Sequence, residues 1–386
     1  MHKYAIIGIL IKLFLGSATY FSAKIMNSTC GKPLEWDDKP AKSCPEGETS
    51  FRKAFFITFC NFFSLSLCIW IFAFLRRPKL DKTPYTRRNM LLMAIPGSVE
   101  ALAFCLATSA QIIMALSLAM IMKGAKVVFS AVFTTIMFKK ALPRFKWVSV
   151  AVCVTGLAIA GTSEYMNTSK GDAGKILIGL SMAMASEAMF AFQVIFDERM
   201  MKVKKCDPTF CVGMEGCYGC IILIPVVLMA WLVLPGDQGG SYENLPDTFY
   251  RISQSGTIMA FLVFYVIAIF VVAIADATIT KYLSGVHSSL VSVGRTIVVW
   301  VLELILFYGA PESLSKMYGH KFDTYSPLKV VGFIIVVAAI LMYDGILRIP
   351  RMNYSSITPA QVAVKEEVIS DCPTVEDEEL DRAAQK

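Results

Sequence analysis

Apolar residues run along the chain in long blocks, each about the length of a membrane-crossing helix, separated by short polar segments. A spanning helix needs about 20 mainly apolar residues. On that measure the pattern predicts ten spans, at 4–23, 53–75, 88–108, 112–137, 147–162, 175–197, 209–234, 257–281, 286–308 and 327–348, of which the fifth is short. The first follows only His2 and Lys3, contains Lys12 and lacks a small-residue cleavage site, so it reads as a retained span and not a removable signal peptide. The expected fold is an all-α polytopic membrane protein of ten transmembrane helices.

Ten spans divide into two sets of five. An odd number per set inserts the second copy upside down, the inverted repeat of many secondary transporters. "IMKGAKVVFSAVFTTIMF" (121–138) and "VGRTIVVWVLELILFYG" (293–309) each set a basic residue beside a small one, ahead of β-branched and aromatic residues. Each is followed by a loop and a span rich in Gly, Ala and Val, "WVSVAVCVTGLAIAGT" and "LKVVGFIIVVAAILMYDG", where small residues allow close helix packing. The predicted units are a first five-helix repeat at 1–162 with a lumenal loop at 24–52, a second at 163–349, and an acidic, disordered cytosolic tail at 350–386.

Composition agrees with a membrane protein: 55% of residues are hydrophobic and 17% charged, against about 25% charged in soluble domains. The net charge of +7 is then a property of basic loops on one side of a bilayer, not a footprint for nucleic acid. "RRPKLDKTPYTRR" (76–88), "KKALPRFK" (139–146) and "ERMMKVKKC" (198–206) are dense in Lys and Arg and face the cytosol under the positive-inside rule, as do both termini. The sequons at Asn27 and Asn167 fall on the lumenal side, where they can be glycosylated, and the one at Asn353 does not. Eleven cysteines are present. Cys30 and Cys44 share the first lumenal loop and are candidates for a disulfide there. Cys206, Cys211, Cys217 and Cys220 contain a C-x2-C spacing, but they sit on an apolar helix without a nearby histidine, so no metal site is expected.

Ionisable groups at membrane depth cost several kcal/mol each and are functional candidates by default. They are Lys12, Glu100, Lys123, Lys126, Glu187, Glu215, Asp276, Arg295, Glu303 and Asp344. Lys123, Arg295, Glu187 and Glu100 lie deepest, while Glu215, Asp276 and Asp344 lie nearer the cytosolic ends. The bland alternative for each is an interhelical ion pair that fixes packing. The functional reading is a cavity with a cationic wall from the fourth and ninth spans and acids from the third and sixth, with Gln193 of the sixth span beside them. Such a wall suits an anionic or zwitterionic small molecule, and a membrane carboxylate can carry a coupled proton. Lys123 and Lys126 share a helical face, with Lys126 nearer the cytosol and given less weight. Gly124 admits a neighbouring backbone or a ligand. Pro96-Gly97 can interrupt the third span before Glu100 and free backbone groups for a cavity.

Several motifs carry a resemblance: "P-x-x-x-E" at Pro96–Glu100, "AMIMKGA" at 119–125, "FDERM" and "DPTFCVGMEGCYG" within 196–219, and "GRTIVVW" at 294–300. Together they resemble the drug/metabolite transporter superfamily, which includes nucleotide-sugar carriers and bacterial EamA proteins, and more narrowly subfamily F of solute carrier family 35, in a branch of lysosomal or mitochondrial membranes. The resemblance spans about residues 4–348. It implies ten helices, inverted repeats and a central substrate site, without naming a substrate. That branch tends to carry Arg where this chain has Lys123, which keeps the charge and loses the planar fork.

The resulting expectation is a secondary transporter of a small organic metabolite, without cofactor and with room for a homodimer. The alternative is a non-transporting scaffold or receptor that keeps the fold. An enzyme is not expected: Tyr343-Asp344 is half of an intramembrane aspartyl-protease signature whose Gly-x-Gly-Asp half is absent. In the tail, Tyr354 to Ile357 has the tyrosine-x-x-hydrophobic form of endosomal and lysosomal sorting signals. With the branch resemblance, it favours a lysosomal or endosomal membrane over a Golgi or mitochondrial one.

Overall fold

The computed structural model describes residues 2–34, 44, 47–76, 85–113, 116–139, 142–167, 173–309, 322, 324–343 and 345–348. The apolar blocks become helices. They are α1 (His2–Ser28), α2 (Ala54–Ser66) continued by α3 (Cys68–Ile71) and a π-helical turn, α4 (Arg87–Leu92), α5 (Ala94–Ile113), α6 (Leu116–Met137), α7 (Arg144–Asn167), α8 (Ala173–Lys202), α9 (Pro208–Leu232), α10 (Leu245–Gln254), α11 (Gly256–Tyr282), α12 (Gly285–Gly309) and α13 (Ser326–Tyr343). Among the described residues, eight rods are long and apolar enough to cross a membrane: α1, α2–α3, α4–α5, α8, α9, α11, α12 and α13. α6 and α7 are also long helices, of 22 and 24 residues. The predicted short fifth span is thus a full-length helix, extended at both ends by residues whose polarity hid them from a hydropathy reading. Asp344, Tyr354, Ile357 and the tail lie outside the described residues.

The rods pack in pairs. α7 lies along α13, α1 along α11, α5 and α6 along α8, and α2 along α9. Glycine permits the closest approach at two of these contacts. On α9, Gly213, Gly216 and Gly219 form a stripe, and a Cβ on Gly216 would sit 2.1 Å from the backbone nitrogen of Ser66 on α2. Where α7 crosses α13, a Cβ on Gly156 would meet the carbonyl oxygen of Gly332 at 2.8 Å. The two Gly/Ala/Val-rich segments therefore pack on each other. With lipid outside there is no water to expel, so such closeness supplies the packing that holds the rods together.

The segment at 234–256 reads as a loop in sequence, yet it contains α10. Asn244 caps that helix through its side-chain oxygen, which accepts from Asp247 N–H at 3.2 Å. α10 closes one end of the bundle with a buried ionic clamp. The Asp247 carboxylate meets Lys53 Nζ at 2.8 Å and Arg251 Nε at 2.8 Å, and accepts from Leu34 N–H at 2.9 Å. Glu243 caps α2 by accepting from Phe55 and Phe56 N–H at 2.9 and 2.7 Å. The clamp gathers the segment between α1 and α2, where Cys30 and Cys44 form a disulfide and β1 (Cys30–Gly31) pairs antiparallel with β2 (Thr49–Ser50). None of Lys53, Glu243, Asp247 or Arg251 stood out in the sequence, because each lies at the edge of, or outside, the apolar blocks.

Candidate functional site

The charged residues within the rods fall into three groups. The first is paired. Lys12 of α1 is 3% exposed and points its ammonium at Asp276 of α11 (2.5 Å) and at the Ser288 hydroxyl and carbonyl of α12 (2.8 and 2.9 Å). Lys24 pairs with Glu303 at 2.8 Å. For these four residues the packing role is the one realised: they fasten α1 to α11 and α12.

The second group is unpaired. Lys123 and Lys126 on α6, Glu187 on α8 and Arg295 on α12 are partly exposed. Among the described residues none of them makes an ion pair or hydrogen bond. They nonetheless sense one another's charge: Lys123 interacts with Arg295, Glu187 and Lys126, and Glu187 with Lys126, Lys123 and Arg295. At 1.5 Å per residue, Lys123 lies about 21 Å from the Met137 end of α6 and Arg295 about 15 Å from the Gly285 end of α12. Arg295 is therefore near the middle of a hydrocarbon layer about 30 Å thick, and Lys123 is about a third of the way in from the Leu116 end of its helix. Partly accessible charge inside a spanning helix, without a counter-ion in contact, is costly in lipid and calls for water or a ligand beside it. Three cations face one carboxylate there. The Arg295 stem reaches this position over Gly16 of α1, whose added Cβ would lie 3.2 Å from Arg295 Cδ. Lys126 Nζ stands 5.5 Å from the Phe190 ring centroid, which offers it a π-face in place of an anion. It borders all three groups, so it is more central than its sequence position suggested.

The third group is acidic. Gln193, Asp197 and Glu215 are all buried. The Gln193 amide donates to Asp197 Oδ2 at 2.5 Å and to Glu215 Oε1 at 3.0 Å, so one nitrogen holds both carboxyls. Glu100 on α5 faces Glu215 and Lys126, and its Oε2 is buried without a partner. The two acids expected on one cavity wall are thus divided. Glu187 stands with the cations, whereas Glu100 joins the acids, and Gln193 is occupied by carboxylates. Asp197 escaped notice because it sits in a polar stretch, "FDERM", at the end of a span. Its neighbour Glu198 has a local task, accepting Gly285 N–H at 2.7 Å at the start of α12.

Two backbone expectations change. An added Cβ on Gly124 would meet the Leu157 side chain at 2.5 Å, so this glycine serves the α6–α7 contact and not a ligand. The helix interruption before Glu100 falls at Met93, between α4 and α5, and the backbone bonds continue through it, Met93 N–H to Asn89 O and Gly97 N–H to Met93 O, both at 3.3 Å. Gly97 instead lets α5 approach α9, where its Cβ would lie 3.1 Å from Glu215 Cα. Asn27 lies in the last turn of α1, partly exposed, and Asn167 ends α7. No group of three or more metal-binding side chains occurs among the described residues.

The chain is similar to solute carrier family 35 member F6 of Homo sapiens, 23% identical over 359 residues that make up 90% of each chain. It is 21% identical to an uncharacterized protein of Schizosaccharomyces pombe over 75% of this chain and 86% of that one. It is 24% identical to UDP-galactose translocator 1 of Caenorhabditis elegans over 57% and 56%. A solved structure with 12% sequence identity superposes with a TM-score of 0.56, covering 89% of this chain and 96% of the other, a likeness of fold. The family described as the Triose-phosphate Transporter family matches residues 49–344. The protein belongs to that family, within the drug/metabolite transporter superfamily, and is a polytopic membrane protein of a transporter family.

Proposed function

We propose that the protein is a secondary transporter that moves a small anionic or zwitterionic metabolite across an organelle membrane by alternating access, with proton coupling. Lys123, Lys126, Arg295 and Glu187 form the substrate site. The observation that carries this reading is that, among the described residues, none of these four charges within the rods makes an ion pair or hydrogen bond, beside the paired Lys12 and Lys24. A scaffold has no use for uncompensated charge within its spans, whereas a cavity that receives an anion does. The nematode relative is named for UDP-galactose, an anionic sugar nucleotide, which favours the same substrate charge.

The architecture proposed with it is ten spans in two inverted repeats, residues 1–162 and 163–349. Counting α1, α2–α3, α4–α5, α6, α7, α8, α9, α11, α12 and α13 as spans one to ten, each exchanges with the span five places on. The pairing of α1 with α11 then maps onto α5 with α8, α6 with α8 onto α1 with α12, and α5 with α9 onto α2 with α11; all six contacts occur. α2 with α9 and α7 with α13 map onto themselves, as pairs on a pseudo-two-fold axis must. In this frame Lys123 and Arg295 are counterparts, as are the glycines of the α7–α13 crossing. The membrane is that of the lysosome or endosome, with Asn27 and Asn167 glycosylated on its lumenal side. Imaging tagged protein with and without Tyr354→Ala tests the location, and unchanged sorting removes the argument from the tail.

Uptake by purified protein in liposomes, screened over anionic, zwitterionic and cationic metabolites, tests the function. Saturable uptake of an anionic or zwitterionic solute that Arg295→Met abolishes is the expected result. No uptake of any class, with folded protein in the membrane, would leave the scaffold reading in its place.

A further inference from the structure

The acid cluster contains more carboxyl groups than donors. Gln193 and Asp197 are one turn apart on α8 and present one face to Glu215 on α9. The single Gln193 amide supplies both of its N–H groups to these two carboxyls. Asp197 is only 6% exposed, yet its Oδ1 has no donor. Two carboxylates whose oxygens both lie within hydrogen-bond distance of one amide nitrogen repel unless one of them holds a proton, and that proton is also the donor the pair lacks. No cation takes this role: among the described residues no basic side chain pairs with Asp197 or Glu215, Lys12 is held by Asp276, and Lys126 acts on Glu100. The other titratable neighbours are Asp276 from α11 and the Cys211 thiol from α9, neither of which neutralises an acid.

We propose that Asp197 and Glu215, bridged by Gln193 and linked to the cationic cavity through Glu100, form a proton-binding site that carries a proton in the same cycle as the metabolite. This rests on the transporter reading above. The resident proton is shared between the Asp197 and Glu215 oxygens. Glu100, with an unpartnered Oε2 facing Glu215 on one side and Lys126 on the other, is the next acceptor. A proton arriving on Glu100 neutralises the carboxylate that faces Lys126, which leaves the Lys126 ammonium free to hold an anionic substrate. When that proton leaves Glu100 for the opposite side of the membrane and the Asp197–Glu215 pair takes up a new one, the Glu100 carboxylate competes with the substrate for Lys126. Proton and anion are thereby taken up together and released together. Glu187 and Gln193 have different roles in this scheme: Glu187 faces the cavity, while Gln193 positions the acid pair.

Infrared spectroscopy of the full-length protein in lipid reads this proton directly, whatever the substrate. The expected result is a protonated carboxylic C=O band at pH 7 that shifts in deuterated water and disappears in Asp197→Asn/Glu215→Gln. The single isosteric variants supply the assignment if the double variant does not fold, and each is expected to change the band. Absence of the band at pH 7, or its survival in all variants, would overturn the proposal. So would its displacement by sodium ions at constant pH, which would make this a sodium site. With a substrate from the uptake screen, a pH gradient accelerates wild-type uptake, and that response falls at least tenfold in Glu215→Gln. An intact band with no transported solute would count against the transporter reading alone; uptake without the band would count against the proton site alone.

Discussion

The clamp at the disulfide end and the proposed cavity within the rods are built from the same residue types under opposite rules. In the clamp Lys53 and Arg251, 1% and 3% exposed, converge on Asp247, and every group has a partner in contact. In the cavity Lys123, Lys126 and Arg295 face a single Glu187 and touch none of it. The charges that hold helices together are matched by a partner in contact; those of the proposed site are not. The comparison teaches that depth in the membrane does not by itself mark a functional charge, because Lys12 and Asp276 are as deep and are structural.

Breaking the clamp should have the largest effect on stability. Asp247→Asn leaves two buried cations without their carboxylate, a change that costs about 3–5 kcal/mol in buried pairs, and thermal unfolding of the detergent-solubilised protein should show it. Lys12→Met, which strands Asp276, should cost somewhat less, about 2–3 kcal/mol, since an unfolded helix in lipid also finds partners. The double variant Lys12→Met/Asp276→Leu should recover most of that loss, and a double-mutant cycle measures it.

Acidification should leave the clamp intact. Burial alone would raise the Asp247 carboxyl, but Lys53, the Leu34 N–H and Arg251 outweigh it and hold it below the ordinary value of 3.8. Its stabilising contribution is present above the unfolded value and lost only as the pH falls through the lower, folded one. Burial raises the Glu243 carboxyl above 4.5 despite its two backbone N–H partners, so its contribution grows as the pH falls toward that value. Unfolding at pH 5 should therefore be no easier than at pH 7, as an acidic lumen would require, and a weaker clamp at pH 5 would contradict this account of it. The smallest effect belongs to Lys24→Met, which removes a partly exposed pair and should cost less than about 1 kcal/mol.

Much of this was legible beforehand. Blocks of apolar residues are long enough to announce helices, and charge within them is rare enough to pick out Lys123, Arg295, Glu100 and Glu187. What hydropathy cannot encode is partnership. The pairing of Lys12 with Asp276 joins residues 264 apart in sequence, and nothing in either segment separates this lysine from Lys123. The division of Glu100 from Glu187 is equally hidden, since it depends on Gly97 drawing α5 against Glu215. The clamp was invisible because α10 is short and polar, and only its cap, Asn244 with Pro246 and Asp247, marks it as a helix. The glycine stripe of α9 could have been read: residues 213, 216 and 219 repeat at helical spacing, the signature of a close crossing.

The central claim is that Lys123 and Arg295 serve a ligand and not the fold. Its most direct test is Lys123→Met and Arg295→Met assayed for thermal stability and for metabolite uptake in the same liposome preparation. The account predicts stability within about 1 kcal/mol of wild type, since no contact is lost, with uptake reduced at least tenfold. Stability falling together with uptake, or uptake that persists in both variants, would contradict it.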